Sequence, residues 1–435
     1  MTRALPAATG STPSSTMKFV HSADVHLDSP LRGLDAYEGA PVAELRGATR
    51  QAFENLVSLC IDEQASLLLL AGDLYDGDWP DFNTGLYFQR QMARLDAAGI
   101  RVALLSGNHD AASRITKRLP IPRNVLRFSS RRPQTFLLED LGVALHGQSF
   151  PQRQVTDNLA QQFPEPVAGL LNIGVLHTAL DGRVGHDPYA PCTVSDLVAR
   201  GYDYWALGHV HQREVLSENP WIVFCGCLQG RNVRELGPKG CSVVVAEEGS
   251  IARVESRHVD VLRWAVVAVE AGGIVREDEL LEHIARALTQ AKADAEGRML
   301  AVRVRITGST QLHERLLRAR REHVEQVRAL GIEVGGGEIW VEKVLVETTA
   351  WTSAARERRD DGIGELLAAI GDVLSADAVQ EDLLQELEPV LGKLPADIIG
   401  DPELLNPRRR EHMRELIARA QALLLARLDG AEGGS

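Results

Sequence analysis

Six short runs of apolar residues recur between Met17 and about His258: FVHSAD, SLLLLAGD, RVALLSGN, VALHGQSF, NIGVLHT and YWALGHVH. Each is nearly continuous in apolar side chains, the pattern of a strand buried on both faces. Between several of them the spacing changes to that of a helix. Over 42–64, for example, Leu45, Phe53, Leu56, Val57 and Cys60 fall on one face. This alternation predicts an α/β domain in which helices cover the faces of a sheet.

A second unit follows from about Arg263 to Thr348. RWAVVAVE reads as a strand, DELLEHIARALTQAKA as an amphipathic helix, and MLAVRVRIT as a strand with Val302, Val304 and Ile306 opposite Arg303 and Arg305. A helix carrying Leu312, Leu316, Leu317, Val324 and Val327 comes next, then the strand EIWVEKVLVE. The order βαβαβ predicts a small α+β domain. Residues 349–435 read as charged helices punctuated by Pro395, Pro402 and Pro407. The last helix carries Met413, Leu416, Ile417, Ala420, Leu424 and Leu428 in one stripe, suited equally to packing on the parent domain and to docking a partner.

The apolar runs of the first unit end in unusual company. Asp24 and His26 follow the first, Gly72 and Asp73 the second, and Gly107, Asn108 and His109 the third. His177 follows NIGVL, and Gly208, His209 and His211 follow YWAL. In open sheets, ligands bind outside the carboxyl ends of the strands. Residues i and i+2 of an extended chain point the same way, so Asp24 with His26, and His209 with His211, can each present two ligands to one place. Taken singly, Gly-Asp is a common turn and a lone buried histidine is usually a satisfied core residue. Five such tips in order, each after a buried strand, exceed what turn chemistry requires. Mixed carboxylate, amide and imidazole donors suit manganese, iron or zinc better than calcium.

Bulk properties narrow the setting. A chain of 435 residues is too long for one ordinary core and predicts two or three domains. Hydrophobic and charged contents of 44% and 25% are those of a soluble globular protein. No apolar run reaches transmembrane length, and no membrane association is expected. Residues 1–16 read as a flexible tail without the apolar middle of a secretion signal, and Met17 begins the first folded-looking run. Five scattered cysteines do not suggest a disulfide framework, and Cys225-Gly-Cys227 lacks zinc-site spacing. The expected compartment is reducing and cytoplasmic. A net charge of −13 argues weakly against nucleic-acid binding, although distribution matters more than the sum.

The series DxH, GD, GNHD, H and GHxH resembles the signature of calcineurin-like metallophosphoesterases over about residues 17–240. HSADVHLDSPL, AGDLYD, SGNHD, YDYWALGHVH and LQGRNVRELGPKG resemble the SbcD-type DNA repair exonucleases, and most of all their YhaO-like branch. The resemblance implies a four-layer α/β/β/α sandwich over 17–262, a capping domain over 263–348 and a helical C-terminal region over 349–435. It implies that Asp24, His26 and His211 hold a first divalent metal and that Asn108, His177 and His209 hold a second, with Asp73 bridging the two. The metals would be manganese, with iron or zinc as alternatives. His109 would stay off the metals, oriented by Asp76, and would protonate the leaving group as a bridging water attacks phosphorus.

The substrate must be argued elsewhere, since relatives of this kind hydrolyse phosphoproteins, small phosphodiesters or DNA. Between Ala111 and Leu138 there is no acidic residue, while Arg114, Lys117, Arg118, Arg123, Arg127, Arg131 and Arg132 all fall there. Such a run beside the catalytic tip is either a solvated basic face or a track for a nucleic-acid backbone. Arg231 and Arg234 are further candidates for phosphate contacts, Arg303 and Arg305 weaker ones, and His186 and Tyr189 candidate cleft-lining residues. The favoured expectation is a DNA exonuclease or endonuclease acting in repair. A phosphatase or small-molecule phosphodiesterase is the alternative, as is a weakly active scaffold subunit, against which the complete ligand set speaks. The resemblance also implies an SbcC-like coiled-coil ATPase of the SMC class as partner. GxxxxGK[ST] is absent here, so ATP coupling would come from that other chain, with 349–428 as the expected contact. Related nucleases often dimerise, but no stretch of this sequence announces such a surface.

Overall fold

The computed structural model describes residues 16–29, 40–76, 82–111, 120–180, 189–351, 377–393 and 406–417. The described residues up to 265, with 291–302 and 338–342, form one compact unit. Residues 266–290 and 303–337, with the described residues from 343 onward, form a second.

The first unit opens with strand β1 (Met17–Ser22), helix α1 (Val42–Asp62), strand β2 (Leu67–Ala71), helix α2 (Asn83–Ala97) and strand β3 (Arg101–Leu105). A single helical turn, α3 (Asn108–Ala111), leads towards β4 (Val125–Arg127). The chain then builds a second sheet from β5 (Gln134–Leu138), β6 (Val143–Gly147), β7 (Leu171–His177), β8 (Tyr204–Gly208), β9 (Glu214–Glu218) and β10 (Trp221–Phe224), with helix α4 (Val194–Ala199) before β8. It returns to the first sheet through β11 (Gly240–Glu247) and β12 (Ser250–His258). The strand orders are β12-β11-β1-β2-β3-β4 and β5-β6-β7-β8-β10-β9. β1 to β4 run parallel, as do β6, β7, β8 and β10, whereas β11 pairs antiparallel with β1.

The side-chain pattern explains the layering. Phe19, Leu67, Leu69, Ala103 and Leu105 from one sheet pack with Leu145, Ile173, Val175, Tyr204, Ala206 and Val223 from the other. Alternate residues of the first sheet, among them Val20, Leu68, Leu70 and Val102, turn outward onto α1 and α2. On the far side Leu176, Trp205, Leu207, Ile222 and Phe224 pack with Leu197 of α4 and with Leu159 and Phe163. Trp205 is fully buried and satisfies its indole by donating to the Leu197 carbonyl at 3.1 Å. This is the four-layer α/β/β/α sandwich. Each buried leucine or phenylalanine contributes roughly 1.5–3 kcal/mol of transfer free energy, so this interior holds the strand ends against the local strain described below.

α1 forms because Leu45, Ala48, Ala52, Phe53, Leu56, Val57 and Cys60 repeat at helical spacing and are all buried. α4 begins with a capping box: the Thr193 hydroxyl accepts from the Asp196 N–H, while Asp196 accepts from the Thr193 N–H.

β13 (Leu262–Glu270), β14 (Met299–Thr310) and β15 (Ile339–Ala350) form a third sheet in that order. Helix α5 (Glu277–Asp294) connects the first two strands. Where the apolar spacing predicts one helix, two occur, α6 (His313–Arg318) and α7 (Arg320–Gly335). Ala319, at φ −98° and ψ 28°, leaves the helical region between them. α6 buries His313 and Leu316, and α7 buries His323, Val327 and Gly331. Helix α8 (Asp377–Leu391) belongs to the second unit. Of the stripe expected on the last helix, Met413, Leu416 and Ile417 are described; Ala420, Leu424 and Leu428 lie outside the described residues, as do Pro395 and Pro402. Among the described residues no helix is long and apolar enough to cross a membrane.

Candidate functional site

The carboxyl ends of the parallel strands from both sheets meet at one edge of the sandwich. β1, β2 and β3 deliver Asp24, His26, Asp73 and Asn108, and β7 and β8 deliver His177, His209 and His211. Donor atoms of Asp24, His26 and His211 lie within 4.8 Å of one another, as do those of Asp73, His177 and His209, and those of His26, Asp73 and His109. Asp73 belongs to two of these groups. Asn108 joins through its Oδ1, 3.0 Å from His177 Nε2.

The backbone is strained where these groups emerge. Asp24, His26, Asp73 and His209 have φ of 49°, 47°, 51° and 101°, in the left-handed region that non-glycine residues seldom adopt. Hydrogen bonds hold them there. The N–H groups of Asp24 and His26 donate to the carbonyls of Gly72 and Asp73, each at 3.0 Å, and the His209 N–H donates to Asp24 Oδ2 at 2.9 Å. Gly72 (φ 101°) sits so close that a Cβ there would lie 2.3 Å from His177 Nδ1. At Gly208 a Cβ would lie 2.1 Å from the Ala71 carbonyl oxygen. Glycine is needed at both places because the His177 ring at Gly72, and the Ala71 main chain at Gly208, occupy the space of a side chain.

Two imidazoles have their tautomers set by their partners. His177 Nδ1 donates to the Ala71 carbonyl at 3.0 Å, so Nε2 faces two acceptors, Asn108 Oδ1 and, at 3.4 Å, Asp73 Oδ2. His211 Nδ1 donates to Glu235 Oε1 at 2.6 Å, leaving its Nε2 3.3 Å from His26 Nε2 and 3.8 Å from Asp24 Oδ1. His26 Nδ1 is buried with no hydrogen-bond partner.

Burial opposes charge on His177, but Asp73 and Asp24 prevail and raise its pKa to about 9. Burial works to lift the Asp73 carboxyl, yet His177, His26 and His109 around it hold it well below the usual range. His26 is pushed well below its ordinary value by burial and then by the Arg231 cation, so its ring is neutral and offers a lone pair. Carboxylate, amide and imidazole donors converge here, with the charge of Asp73 balanced by the imidazoles around it, a role that a divalent cation would take over. The donor set therefore fits divalent cations, which want oxygen and nitrogen lone pairs held by fixed second partners.

His109 differs from this group. Its side chain is 32% exposed, and its Nδ1 lies 2.7 Å from Asp76 Oδ1. Asp76 also accepts from the Ser29 hydroxyl at 2.7 Å. Burial disfavours charge on His109, but Asp76 and then Asp73 outweigh it and raise its pKa.

Two buried acids at the site escaped the sequence reading. Asp110 accepts the N–H groups of Leu74, Tyr75 and Gly107 at 3.2, 2.8 and 3.1 Å, pinning the loop after β2 to the loop after β3. Burial and the nearby Asp73 push its carboxyl up to about 7. Its place in GNHD was visible, but nothing local marked it as a clamp. Glu235 lies 24 residues beyond His211, so no spacing rule could pair them.

The proposed phosphate-contact residues scatter. Arg114, Lys117 and Arg118 lie outside the described residues, as does His186. Arg123 pairs with Asp96 at 2.6 Å, while Arg131 and Arg132 are exposed. Arg231 is largely buried between Glu235 and Asp76, whereas Arg234 is exposed. Tyr189 places its ring 5.2 Å from that of His209. Arg305 pairs with Glu347 at 2.7 Å. Cys225 and Cys227 are buried free thiols.

Residues 17–213 match the family profile "Calcineurin-like phosphoesterase", and residues 264–349 match "Metallophosphoesterase YhaO, middle domain". Residues 17–213 are a calcineurin-like metallophosphoesterase domain. Within that family the chain sits on the YhaO-like branch. It is 36% identical over 258 residues to the uncharacterized metallophosphoesterase YhaO of Bacillus subtilis, covering 58% of this chain and 63% of that relative. It is 25% identical over 298 residues to the DNA double-strand break repair protein Mre11 of Methanopyrus kandleri, covering 62% and 63%. The matched part thus spans a little under two thirds of each of these relatives. Among solved structures, a dimetal phosphatase from Danio rerio aligns with 56% of the chain and 98% of its own at a TM-score of 0.33 and 12% identity.

Proposed function

We propose that the chain hydrolyses phosphodiester bonds in DNA with the help of two divalent cations, manganese foremost. The observation that carries the reading is the gathering of seven donor side chains from two sheets beside a partly exposed histidine that has its own carboxylate partner. Asp24, His26 and His211 would hold one cation and Asn108, His177 and His209 the other, with Asp73 between them. When bound, such a pair supplies a Lewis acid for the phosphate and a source of hydroxide near neutral pH. The chain's own residues do the rest. Main-chain and carboxylate partners fix the imidazole rings, so no reorganisation is needed as charge develops. Asp76 holds His109 Nδ1, leaving Nε2 to deliver a proton to the departing sugar oxygen.

DNA is favoured over other phosphate esters by the similarity to proteins named for double-strand break repair and by the exposed Arg131 and Arg132. The five cysteines are buried thiols outside any disulfide, which supports a reducing, cytoplasmic setting. A coiled-coil ATPase partner belongs to the same proposal. The test is a panel of single-stranded DNA, double-stranded DNA, a cyclic nucleotide and p-nitrophenyl phosphate, each with Mn2+. Manganese-dependent cleavage of DNA well above that of the monoester is expected. Preference for the monoester or the cyclic nucleotide would sink the nuclease reading.

A further inference from the structure

Arg231 and Glu235 stand four residues apart in the segment between β10 and β11, outside the seven donors described above, although a Glu235 oxygen also lies within 4.8 Å of donor atoms of His211 and Cys227. Glu235 Oε1 accepts from His211 Nδ1 at 2.6 Å and lies 3.1 Å from an Arg231 guanidinium nitrogen. Its Oε2 accepts the Arg231 backbone N–H at 2.7 Å, so the segment folds back on itself around this carboxylate. Another guanidinium nitrogen of Arg231 lies 3.5 Å from Asp76 Oδ2, and Asp76 holds His109. Glu235 and Arg231 are 8% and 15% exposed at the side chain, so water screens these contacts little.

The segment is itself clamped. Gln229 donates to the Leu262 carbonyl at 2.6 Å and accepts the Val261 N–H at 2.9 Å, and the Trp264 indole donates to the Gly230 carbonyl at 3.1 Å. A Cβ on Gly230 would lie 2.8 Å from the Glu235 carbonyl oxygen, so the turn closes tightly.

We propose that Glu235 and Arg231 are positioning residues. Glu235 would fix the His211 ring with its Nε2 lone pair towards Asp24 and His26, and Arg231 would join that carboxylate to the Asp76–His109 pair. One clamped segment thereby sets both the cation-holding and the proton-delivering sides of the site. An ionised carboxylate only accepts, so the proton of a neutral His211 must sit on Nδ1. Partners of this kind commonly alter metal affinity by about 10–100-fold. The inference rests on the phosphoesterase reading of the site.

Titration of the full chain with MnCl2, followed by calorimetry and by the paramagnetic resonance of free Mn2+, tests it without any substrate. The parent chain should bind two ions. Failure to do so would count against the proposed function itself. Glu235→Ala should weaken one of the two by about 10–100-fold and leave the other unchanged. Glu235→Gln, whose amide oxygen still accepts from Nδ1, should lose less. Parental affinity at both positions in Glu235→Ala would overturn the inference. Should the alanine variant fail to fold, parental affinity at both positions in Glu235→Leu, which fills the space but accepts nothing from Nδ1, decides the same way. Arg231→Met should lower kcat on bis(p-nitrophenyl) phosphate with KM unchanged. A raised KM at parental kcat would make Arg231 a substrate contact instead.

Discussion

Two imidazoles of the candidate ligand set, His177 and His211, have their Nδ1 atoms committed and solve one problem in different ways. His177 donates to the main-chain carbonyl of Ala71, the last residue of β2, and is walled in by Gly72. His211 donates to a carboxylate brought from the segment after β10. One ring is oriented by the backbone of the opposite sheet, the other by a replaceable side chain. The first arrangement can be disturbed only by disturbing the sandwich. The second can be tuned by a single substitution that leaves the fold alone.

Gly72→Ala attacks the main-chain-oriented half and carries the largest expected effect. The added Cβ would sit 2.3 Å from His177 Nδ1 on a backbone already at φ 101°. Hydrolysis should fall to background, one Mn2+ should be lost, and the melting temperature should drop. A variant with parental Mn2+ stoichiometry would erase the contrast between the two rings.

His109→Ala lies outside both orienting devices. Its removal should cost about 10²–10⁴-fold in kcat while both ions remain bound, as single-turnover assays and Mn2+ titration would show. Lost ion binding would move His109 into the ligand set.

Asp110→Ala carries the smallest expected effect on turnover and the clearest one on stability. It leaves three buried N–H groups without partners, at about 1–3 kcal/mol for each unmatched group. A shift in the urea midpoint equivalent to about 3 kcal/mol is expected. An unchanged midpoint would show that the loops after β2 and β3 hold without their clamp.

The candidate site was legible in the chain because its donor side chains sit at strand tips, where apolar runs stop abruptly at Asp, Asn or His. Asp76 and His109 prove to be hydrogen-bonded across 33 positions, a pairing that the resemblance implied and that spacing alone did not carry. Glu235 and Asp110 escaped notice because their work is tertiary: each accepts from groups that local pattern does not bring near. Several strands were missed for a related reason. EVLSE of β9 and SIARVESRH of β12 lie at sheet edges, half-exposed and mixed in polarity, so they lack the apolar run that betrays a central strand. The basic run from 114 to 132 shows the limit of counting charges, for Arg123 is engaged by Asp96; Arg231, elsewhere in the chain, is likewise turned inward.

Each candidate cation position draws donors from both sheets: Asp24 and His26 against His211, Asp73 and Asn108 against His177 and His209. The candidate site is therefore a seam, and an ion lodged there would fasten two layers that otherwise meet through apolar side chains and a few hydrogen bonds such as those of His177 to Ala71 and of His21 to Tyr204. Occupancy and cohesion become linked quantities, so that raising free Mn2+ should stiffen the sandwich by mass action. Loosening the layers by a fraction of an ångström would scatter the grip long before any strand unravels.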